Sequence, residues 1–220
     1  MNRNQSGAIS DHELNTRLKG QERTNELTVM PLLGHSVRGG AVDLRLGPRF
    51  VSLRRTATSA LDPISVDSTA VARMLEERHL ALGESYHLHP GELILAATLE
   101  YISLPSDLAA NVTSRSSYGR VGLVIATAPY VHPGYKGCLT LELANVGSTP
   151  VVMYSGLPVA QLSFVRVHTE TTRPSRYSLA TGPLFPPLEQ DADRLKLQRL
   201  REEYERSVRT PPESLEPNGL

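Results

Sequence analysis

The sequence predicts a mainly β protein with a short helix near the N-terminus and an amphipathic helix near the C-terminus. From Tyr86 onward, short apolar runs are separated by turns containing Pro or Gly, as in HLHPGELILAATLEYISLP and GCLTLELANV. Many short strands at such spacing are typical of a sandwich or barrel-like core and not of a βαβ sheet.

The N-terminal helix is predicted to begin at Ser10. Ser10 and Glu13 form a capping box, and Leu14 and Leu18 repeat at the i, i+4 spacing of one helix face. Gly20 is a residue type that ends helices.

The first long strand is predicted at AVDLRLG, residues 41–47. Val42, Leu44 and Leu46 lie on one face of this strand, and the Asp and Arg between them lie on the other. Residues 56–70, rich in Ser, Thr, Ala and Asp, are predicted to form a loop.

A brief helix is indicated after this loop by Val71, Met74 and Leu75. Beyond it, the β-rich region contains three turns, at His89-Pro-Gly, His132-Pro-Gly and Tyr154-Ser-Gly-Leu-Pro. In the second of these, Pro133 and Gly134 suit the central positions of a type II turn, which fixes the direction of His132 and Tyr135.

The composition shifts after residue 168. Leu197, Leu200, Tyr204 and Val208 recur at helical spacing amid mixed charge, which predicts a helix that packs on the body or on a neighbouring subunit. The predicted organisation is a domain over residues 1–168, an extended arm over 169–188, the helix over 189–208 and a flexible tail over 209–220.

The composition argues against several classes of protein. Lys and Arg together number 23, as do Asp and Glu, so no global field draws the 220-residue chain to nucleic acid or to an anionic membrane. The apolar runs are too short to span a bilayer, and the N-terminus has no apolar core of a signal peptide. We expect a cytoplasmic protein without membrane or nucleic-acid partners.

Metal chemistry has little support in the sequence. The single cysteine, Cys138, rules out an internal disulfide framework and a multi-cysteine zinc cluster, and its apolar surroundings predict a small buried side chain. The seven histidines show no HExxH or HxxxH spacing, so we expect no dedicated metal site.

Two polar features stand out from the apolar pattern. TSRSSYGR, residues 113–120, concentrates guanidinium and hydroxyl donors, which suit either a phosphate-bearing ligand or a solvated turn. In CLTLEL, period two places the leucines on the core face and Glu142 on the other. Glu142 is therefore either a solvent-facing carboxylate or, if the arginine-serine loop lies near it, a general base.

Several ordered motifs resemble the dCTP deaminase family, a branch of the trimeric dUTPase superfamily. They are GGAVDLRLG, HLHPGELILAATLEYISLP, SRSSYGRVGL, HPGYKGCLTLELANVG and YSGLPVAQLSF, and the resemblance covers roughly residues 9–167. It implies a distorted β-barrel or β-clip of the dUTPase-like kind, a homotrimer with sites at subunit interfaces, and conversion of dCTP to dUTP and ammonia without zinc. The zinc deaminases instead carry an H-x-E…P-C-x-x-C signature, which this sequence lacks.

The resemblance also implies the site residues. Glu142 matches the base that activates water, Arg120 the arginine beside it, and Ser116 a further catalytic position. The expected substrate-binding residues are Arg115, Ser116, Ser117 and Arg120, then Ala128, His132, Thr140, Leu141 and Gln161, and finally Arg176 and Tyr177 in a C-terminal lid. Mg²⁺ is expected to arrive with the triphosphate.

Three positions differ from the family pattern. His132 stands where the family has Asp, so it either bonds a sugar hydroxyl or is a turn histidine without a ligand. Thr127-Ala128-Pro129 replaces Thr-Ala-His, and Ala180 replaces a glutamine of the lid. Two alternatives therefore stay open beside deamination: a dUTPase-like nucleotide diphosphohydrolase, and a non-catalytic nucleotide-binding trimer.

Overall fold

The computed structural model describes residues 7–20, 27–33, 37–54, 60–62, 64, 67–81, 83–168, 179–185 and 192–209. Among these residues the helices are α1 (Asp11–Lys19), α2 (Ser68–Met74), α3 (Ser116–Gly119) and α4 (Ala192–Arg209). The strands are β1 (Gly7–Ala8), β2 (Thr28–Met30), β3 (Val37–Arg38), β4 (Ala41–Leu53), β5 (Leu75–His79), β6 (Ser85–Leu88), β7 (Leu93–Ser103), β8 (Leu108–Ser114), β9 (Leu123–Ile125), β10 (Tyr130–Val131), β11 (Lys136–Asn145), β12 (Val151–Tyr154) and β13 (Pro158–Arg166).

The described strands form one large sheet and one small one. The main path of the large sheet runs β10-β8-β13-β4-β7-β11-β9, and each pairing along it is antiparallel. β1, β2, β3 and β5 pair to the side of this path, whereas β6 and β12 pair only with each other. β8 and β9 lie near opposite ends of the path yet contact each other, so the sheet curls. The mainly β fold that the sequence predicts is confirmed.

The apolar face of the sheet is the one that the alternation predicted. Val42, Leu44 and Leu46 are fully buried on β4, which extends beyond the predicted end at residue 47 as far as Leu53. On β11 the leucines on either side of Glu142 are likewise fully buried. Period-two alternation therefore locates the core on both strands.

Helix α1 is capped as the sequence predicts. The Ser10 hydroxyl accepts a hydrogen bond from the Glu13 N–H at 3.2 Å. The Glu13 carboxylate does not return to Ser10 but pairs with Arg17 and with Arg166, which ties α1 to β13. Gly20 follows the helix in an extended conformation (φ −66°), so its left-handed capability is not used.

The three predicted turns are present and share one geometry. In each, a glycine with positive φ precedes a residue whose N–H donates to the carbonyl three positions earlier, as type II turns require. The glycines and bonds are Gly91 (φ 76°, Glu92 to His89, 3.1 Å), Gly134 (φ 78°, Tyr135 to His132, 3.2 Å) and Gly156 (φ 85°, Leu157 to Tyr154, 3.2 Å).

The segment after β4 departs from the prediction in one respect. Much of the predicted 56–70 loop lies outside the described residues. Helix α2 begins after Asp67, whose carboxylate accepts from the Thr69 N–H at 3.0 Å, and it ends at Met74. Leu75 was predicted as helical, but it begins strand β5, which pairs with β4. The charged sequence LEERH lacks apolar alternation, so only its pairing with β4 makes it a strand.

Contacts divide the chain into two compact units, residues 1–53 with 76–185 and residues 54–75 with 186–220. In the second unit, α4 confirms the predicted C-terminal helix with bounds of 192–209, and Arg201 pairs with Asp62 at 3.3 Å. The apolar side chains predicted to pack are 50–70% exposed (Leu197, Leu200, Tyr204 and Val208). The packing of this helix face on the body or on a neighbouring subunit stays a prediction, as do the domain bounds.

Gly122 closes the loop between α3 and β9 at a position that only glycine fits. Its φ is 94°, and a Cβ there would lie 2.5 Å from the backbone N and Cα of Gly147. We expect Gly122→Ala to lower the free energy of unfolding by roughly 2–4 kcal/mol, measured by urea denaturation. Gly119→Ala is the matched control, since a Cβ at Gly119 has no neighbour within 4 Å. Equal losses in the two variants would contradict the steric argument.

Candidate active site

The arginine-serine loop begins where β8 ends. Arg115 directly precedes α3, and its N–H donates to the Val159 carbonyl of β13 at 3.0 Å. Ser116, Ser117 and Arg120 are exposed. The four-residue α3 forms because the chain must reverse between β8 and β9, and the reversal presents the polar side chains to solvent.

Arg115 and Gln161, both predicted to bind substrate, meet at a third residue that the sequence prediction omitted. The Asp43 carboxylate accepts from Gln161 Nε2 at 3.0 Å, and its second oxygen lies 3.5 Å from Arg115 Nη1. Gln161 of β13 lies directly opposite Asp43 on β4 and opposite Thr113 on β8. Strand pairing therefore places Asp43, Gln161 and Thr113 in one row across three strands, and Arg115 follows two residues after Thr113.

A sequence signal for Asp43 exists. Asp43 alternates with the buried Val42 and Leu44 of AVDLRLG, as Glu142 alternates with buried leucines in CLTLEL. An acidic side chain in the middle of a buried strand, on the face away from the core, is the shared pattern. The sequence alone did not show that a guanidinium lies beside it.

Glu142 occupies β11 where β9 begins to pair with it. Its N–H donates to Thr127 Oγ1 at 2.6 Å, and its carbonyl accepts from the Ala126 N–H at 2.8 Å. The Glu142 backbone is thus held on the edge opposite β7, with its side chain partly buried. Thr127 is a second functional candidate that the sequence prediction did not include, although it begins the Thr-Ala-Pro segment.

Ala128 and Pro129 continue this segment towards β10. Ala128 is exposed, and the Pro129 carbonyl accepts from the Val112 N–H of β8 at 2.8 Å. The segment that departs from the family pattern therefore bridges β11, through Thr127, and β8, through Pro129.

Residues 179–184 contact β11 up to Thr140, two residues before Glu142. The Lys136 carbonyl accepts from the Leu179 N–H at 2.5 Å, and the Cys138 N–H donates to the Ala180 carbonyl at 2.7 Å. The pairing of β11 with β7 is irregular between Cys138 and Thr140. The Thr140 hydroxyl accepts from the Leu184 N–H at 3.2 Å. Leu141 is fully buried, and alternation directs its backbone groups towards β7.

His132 is exposed at the first position of its type II turn. Its ring meets the ring of Tyr130 edge to face, with centroids 4.9 Å apart. The turn and this contact together fix the direction of the imidazole.

The predicted residues form two groups within one chain. Arg115 lies with Gln161 at β4, β8 and β13, whereas Glu142 lies at β9 and β11. Among the described residues, no hydrogen bond or ion pair joins the Glu142 carboxylate to Arg120 or Ser116. Arg176 and Tyr177 lie outside the described residues. Within the described ranges, no group of three or more His, Cys, Asp or Glu residues is arranged to hold a metal ion.

A buried acid lies on the strand next to this region. Glu100 of β7 has no exposed surface, and its carboxylate accepts from the Arg45 N–H at 2.8 Å and from Arg45 Nη1 at 3.1 Å. Burial raises the pKa of Glu100, and the hydrogen bonds from Arg45 oppose that rise. Cys138 is buried as predicted, and burial, followed by the charge of Glu100, raises the pKa of its thiol.

Of the helices in the described ranges, none combines the length and the apolar character of a membrane span.

The chain is similar to known proteins in sequence and in fold. A dCTP deaminase from Halorubrum lacusprofundi is 39% identical over 184 residues, covering 80% of this chain and 88% of the relative. A dUMP-forming dCTP deaminase from Methanobrevibacter smithii is 36% identical over 162 residues, covering 73% and 82%. The crystal structure of 2'-deoxycytidine 5'-triphosphate deaminase from Agrobacterium tumefaciens has a similar fold (TM-score 0.56, 22% identity); the match covers 74% of this chain and about half (49%) of that one. The family model described as dCTP deaminase-like matches residues 9–167, and the chain belongs to this family.

Proposed function

We propose that the protein hydrolyses dCTP to dUTP and ammonia, with Glu142 as the general base. The observation that carries the proposal is the position of Glu142. Thr127 holds the backbone of Glu142 on the edge of β11 that faces away from β7, two residues after Thr140. A backbone edge can hydrogen-bond the polar rim of a pyrimidine, and the carboxylate then lies within reach of the ring.

The reaction consumes one water molecule, and Glu142 carries both of its protons. Glu142 takes the first proton as the water oxygen bonds to C4 of cytosine, and passes it to ring N3, which receives the electron pair of the C4–N3 double bond. It then takes the proton of the new C4 hydroxyl and passes it to the amine at C4, so that the bond from C4 to the amine breaks, ammonia leaves, and the C4 oxygen becomes the carbonyl of uracil. Arg120 would orient the water, and Ser116 would add a hydroxyl donor.

The opposite end of the nucleotide suits the arginine-serine loop. Guanidinium and hydroxyl donors of Arg115, Ser116 and Ser117 match the oxygens of a triphosphate, and the substrate would be the Mg²⁺ complex of dCTP. Gln161 would assist at this end, and His132 would face the sugar. Arg176 and Tyr177 would close over the phosphates.

We also propose a homotrimer whose sites lie between subunits. The separation of Arg115 and Glu142 into two groups within one chain supports this, because a neighbouring copy could complete each site. A dCTP substrate fits a cytoplasmic location.

dUTP is the favoured product, although relatives that form dUMP exist. Release of pyrophosphate needs a group that positions water at phosphorus, and the position where the family carries Asp holds His132 here. We therefore expect the purified protein, given dCTP and Mg²⁺, to release one ammonia per dCTP consumed and to accumulate dUTP without pyrophosphate.

The assay measures ammonia and pyrophosphate separately, with CTP, dUTP and dCMP as parallel substrates. Equal amounts of ammonia and pyrophosphate would show a dUMP-forming enzyme and refute the product assignment. Binding of dCTP without either product would replace the enzyme by the non-catalytic nucleotide-binding alternative.

A further inference from the structure

We propose that Asp43 is a positioning residue for the triphosphate, holding Arg115 and Gln161 so that both donors face the same phosphate groups. This inference rests on the proposed function, because it concerns the phosphate end of the same site. It adds to the site a residue that would act through Arg115 and Gln161 without itself touching the nucleotide.

The geometry gives each oxygen of the Asp43 carboxylate a separate role. One oxygen accepts from Gln161 Nε2 at 3.0 Å, and the other lies 3.5 Å from Arg115 Nη1. One rigid strand carboxylate thus contacts two long side chains, Gln161 on β13 and Arg115 directly after β8. A guanidinium has five N–H donors, so its contact with Asp43 leaves donors for phosphate.

The exposed fractions of the two side chains show which charged group lies nearer to solvent. The Asp43 side chain is 18% exposed and that of Arg115 is 33% exposed, so the carboxylate lies deeper and the guanidinium lies nearer to solvent. A triphosphate approaching from solvent would meet Arg115 first, with the Asp43 charge behind it. The guanidinium then screens the repulsion between the Asp43 carboxylate and the phosphates. We expect the gain in dCTP binding from an ordered Arg115 to exceed the repulsion that remains.

A purely structural carboxylate would behave differently. A role in stability alone would lower the melting temperature of the unliganded protein and leave the KM for dCTP unchanged. A positioning role raises KM more than it lowers kcat, because the phosphates contribute to binding in both the ground state and the transition state.

The test is a double-mutant cycle on the full chain. We expect Asp43→Asn to raise the KM for dCTP roughly fivefold to tenfold, and to have a clearly smaller effect in an Arg115→Ala background, where Asp43 holds only Gln161 of the two donors. In a Glu142→Gln background, where dCTP is not consumed, Asp43→Asn should weaken equilibrium binding of dCTP by a similar factor. It should change binding of deoxycytidine, which has no phosphate, by less than about twofold.

The matched control is Asp107→Asn, which removes another carboxylate paired with an arginine, Arg17 at 2.7 Å. This variant should leave KM unchanged. Additive effects of Asp43→Asn and Arg115→Ala, tighter dCTP binding after Asp43→Asn, or equal losses for dCTP and deoxycytidine would each overturn the inference. Turnover by the unmodified chain tests the proposed function separately, so the two failures can be told apart; absence of dCTP binding by that chain would overturn both.

Discussion

Glu142→Gln is expected to lower the rate of dCTP deamination by roughly 10³-fold while leaving the fold and nucleotide binding intact. Gln has nearly the shape of Glu but cannot accept a proton from water. The Glu142 backbone bonds to Thr127 and Ala126 do not involve the carboxylate, so the substitution leaves them in place. Single-turnover ammonia release and equilibrium dCTP binding, measured on the same preparation, separate the two effects.

Glu77→Gln provides the control for this substitution. Glu77 is also a strand carboxylate, on β5, and it pairs with Arg49 at 2.7 Å. The Glu77→Gln variant should retain the full rate of dCTP deamination. Turnover of Glu142→Gln within threefold of the unmodified protein would remove Glu142 as the base and leave the reaction without an assigned proton acceptor.

The same variant tests whether the site is shared between copies of the chain. Arg115→Ala should also be nearly inactive alone when dCTP is kept well below the raised KM of this variant. If each site takes its base from one subunit and Arg115 from another, mixed trimers of the two variants, formed at random, should regain about a quarter of the normal activity. No recovery after verified subunit mixing would place both residues in one chain's site.

The second large effect concerns the buried pair of Arg45 and Glu100. Arg45→Met is expected to lower the free energy of unfolding by about 3–5 kcal/mol at neutral pH, because it leaves a fully buried carboxylate without the guanidinium that neutralises it, although the bond from the backbone N–H of residue 45 remains. Chemical denaturation across a pH series measures this loss in the free energy of unfolding. Arg49→Met, which breaks the exposed pair with Glu77, should cost less than about 1 kcal/mol.

The pH dependence follows from the direction of the pKa shift. Burial already raises the pKa of Glu100 in the folded state, and removing Arg45 raises it further. A carboxyl group with a raised folded-state pKa favours folding below its unfolded pKa, and this contribution is lost as the pH rises through the folded pKa. The penalty of Arg45→Met should therefore shrink as the pH falls from neutral towards the ordinary pKa of Glu.

A second substitution identifies the cause of this penalty. Adding Glu100→Leu to Arg45→Met should recover most of the lost stability at neutral pH, since no buried charge remains. A loss that is independent of pH and is not recovered in the double variant would attribute the effect to the packing of the Arg45 side chain.

Local physics explains which parts of the fold could be predicted. Period-two alternation located the core faces of β4 and β11, the Ser10 hydroxyl located the start of α1, and the glycines located the turns. Strand β5 could not be predicted, because LEERH becomes a strand only by pairing with β4. Gly20 follows the last residue of α1 as predicted, so its residue type located the end of the helix, although its backbone there is extended.

In the candidate site, too, some residues could be identified from the sequence and others could not. Glu142 could be chosen from its place opposite the leucines, together with a resemblance that covers the neighbouring motifs. Asp43 has a similar place in its own strand, but its significance depends on Arg115 and Gln161, and Gln161 lies 118 positions further along the chain. Such a contact follows from the order of strands in the sheet, which alternation does not determine.

The bonds between β11 and residues 179–180 affect how the protein can be shortened. The family model ends at residue 167, and a fragment cut there would lose the segment that covers the Lys136–Cys138 edge. Bare strand edges recruit other chains, so such a fragment would tend to aggregate. The boundaries of sequence similarity are therefore a poor guide to the smallest well-behaved version of this enzyme.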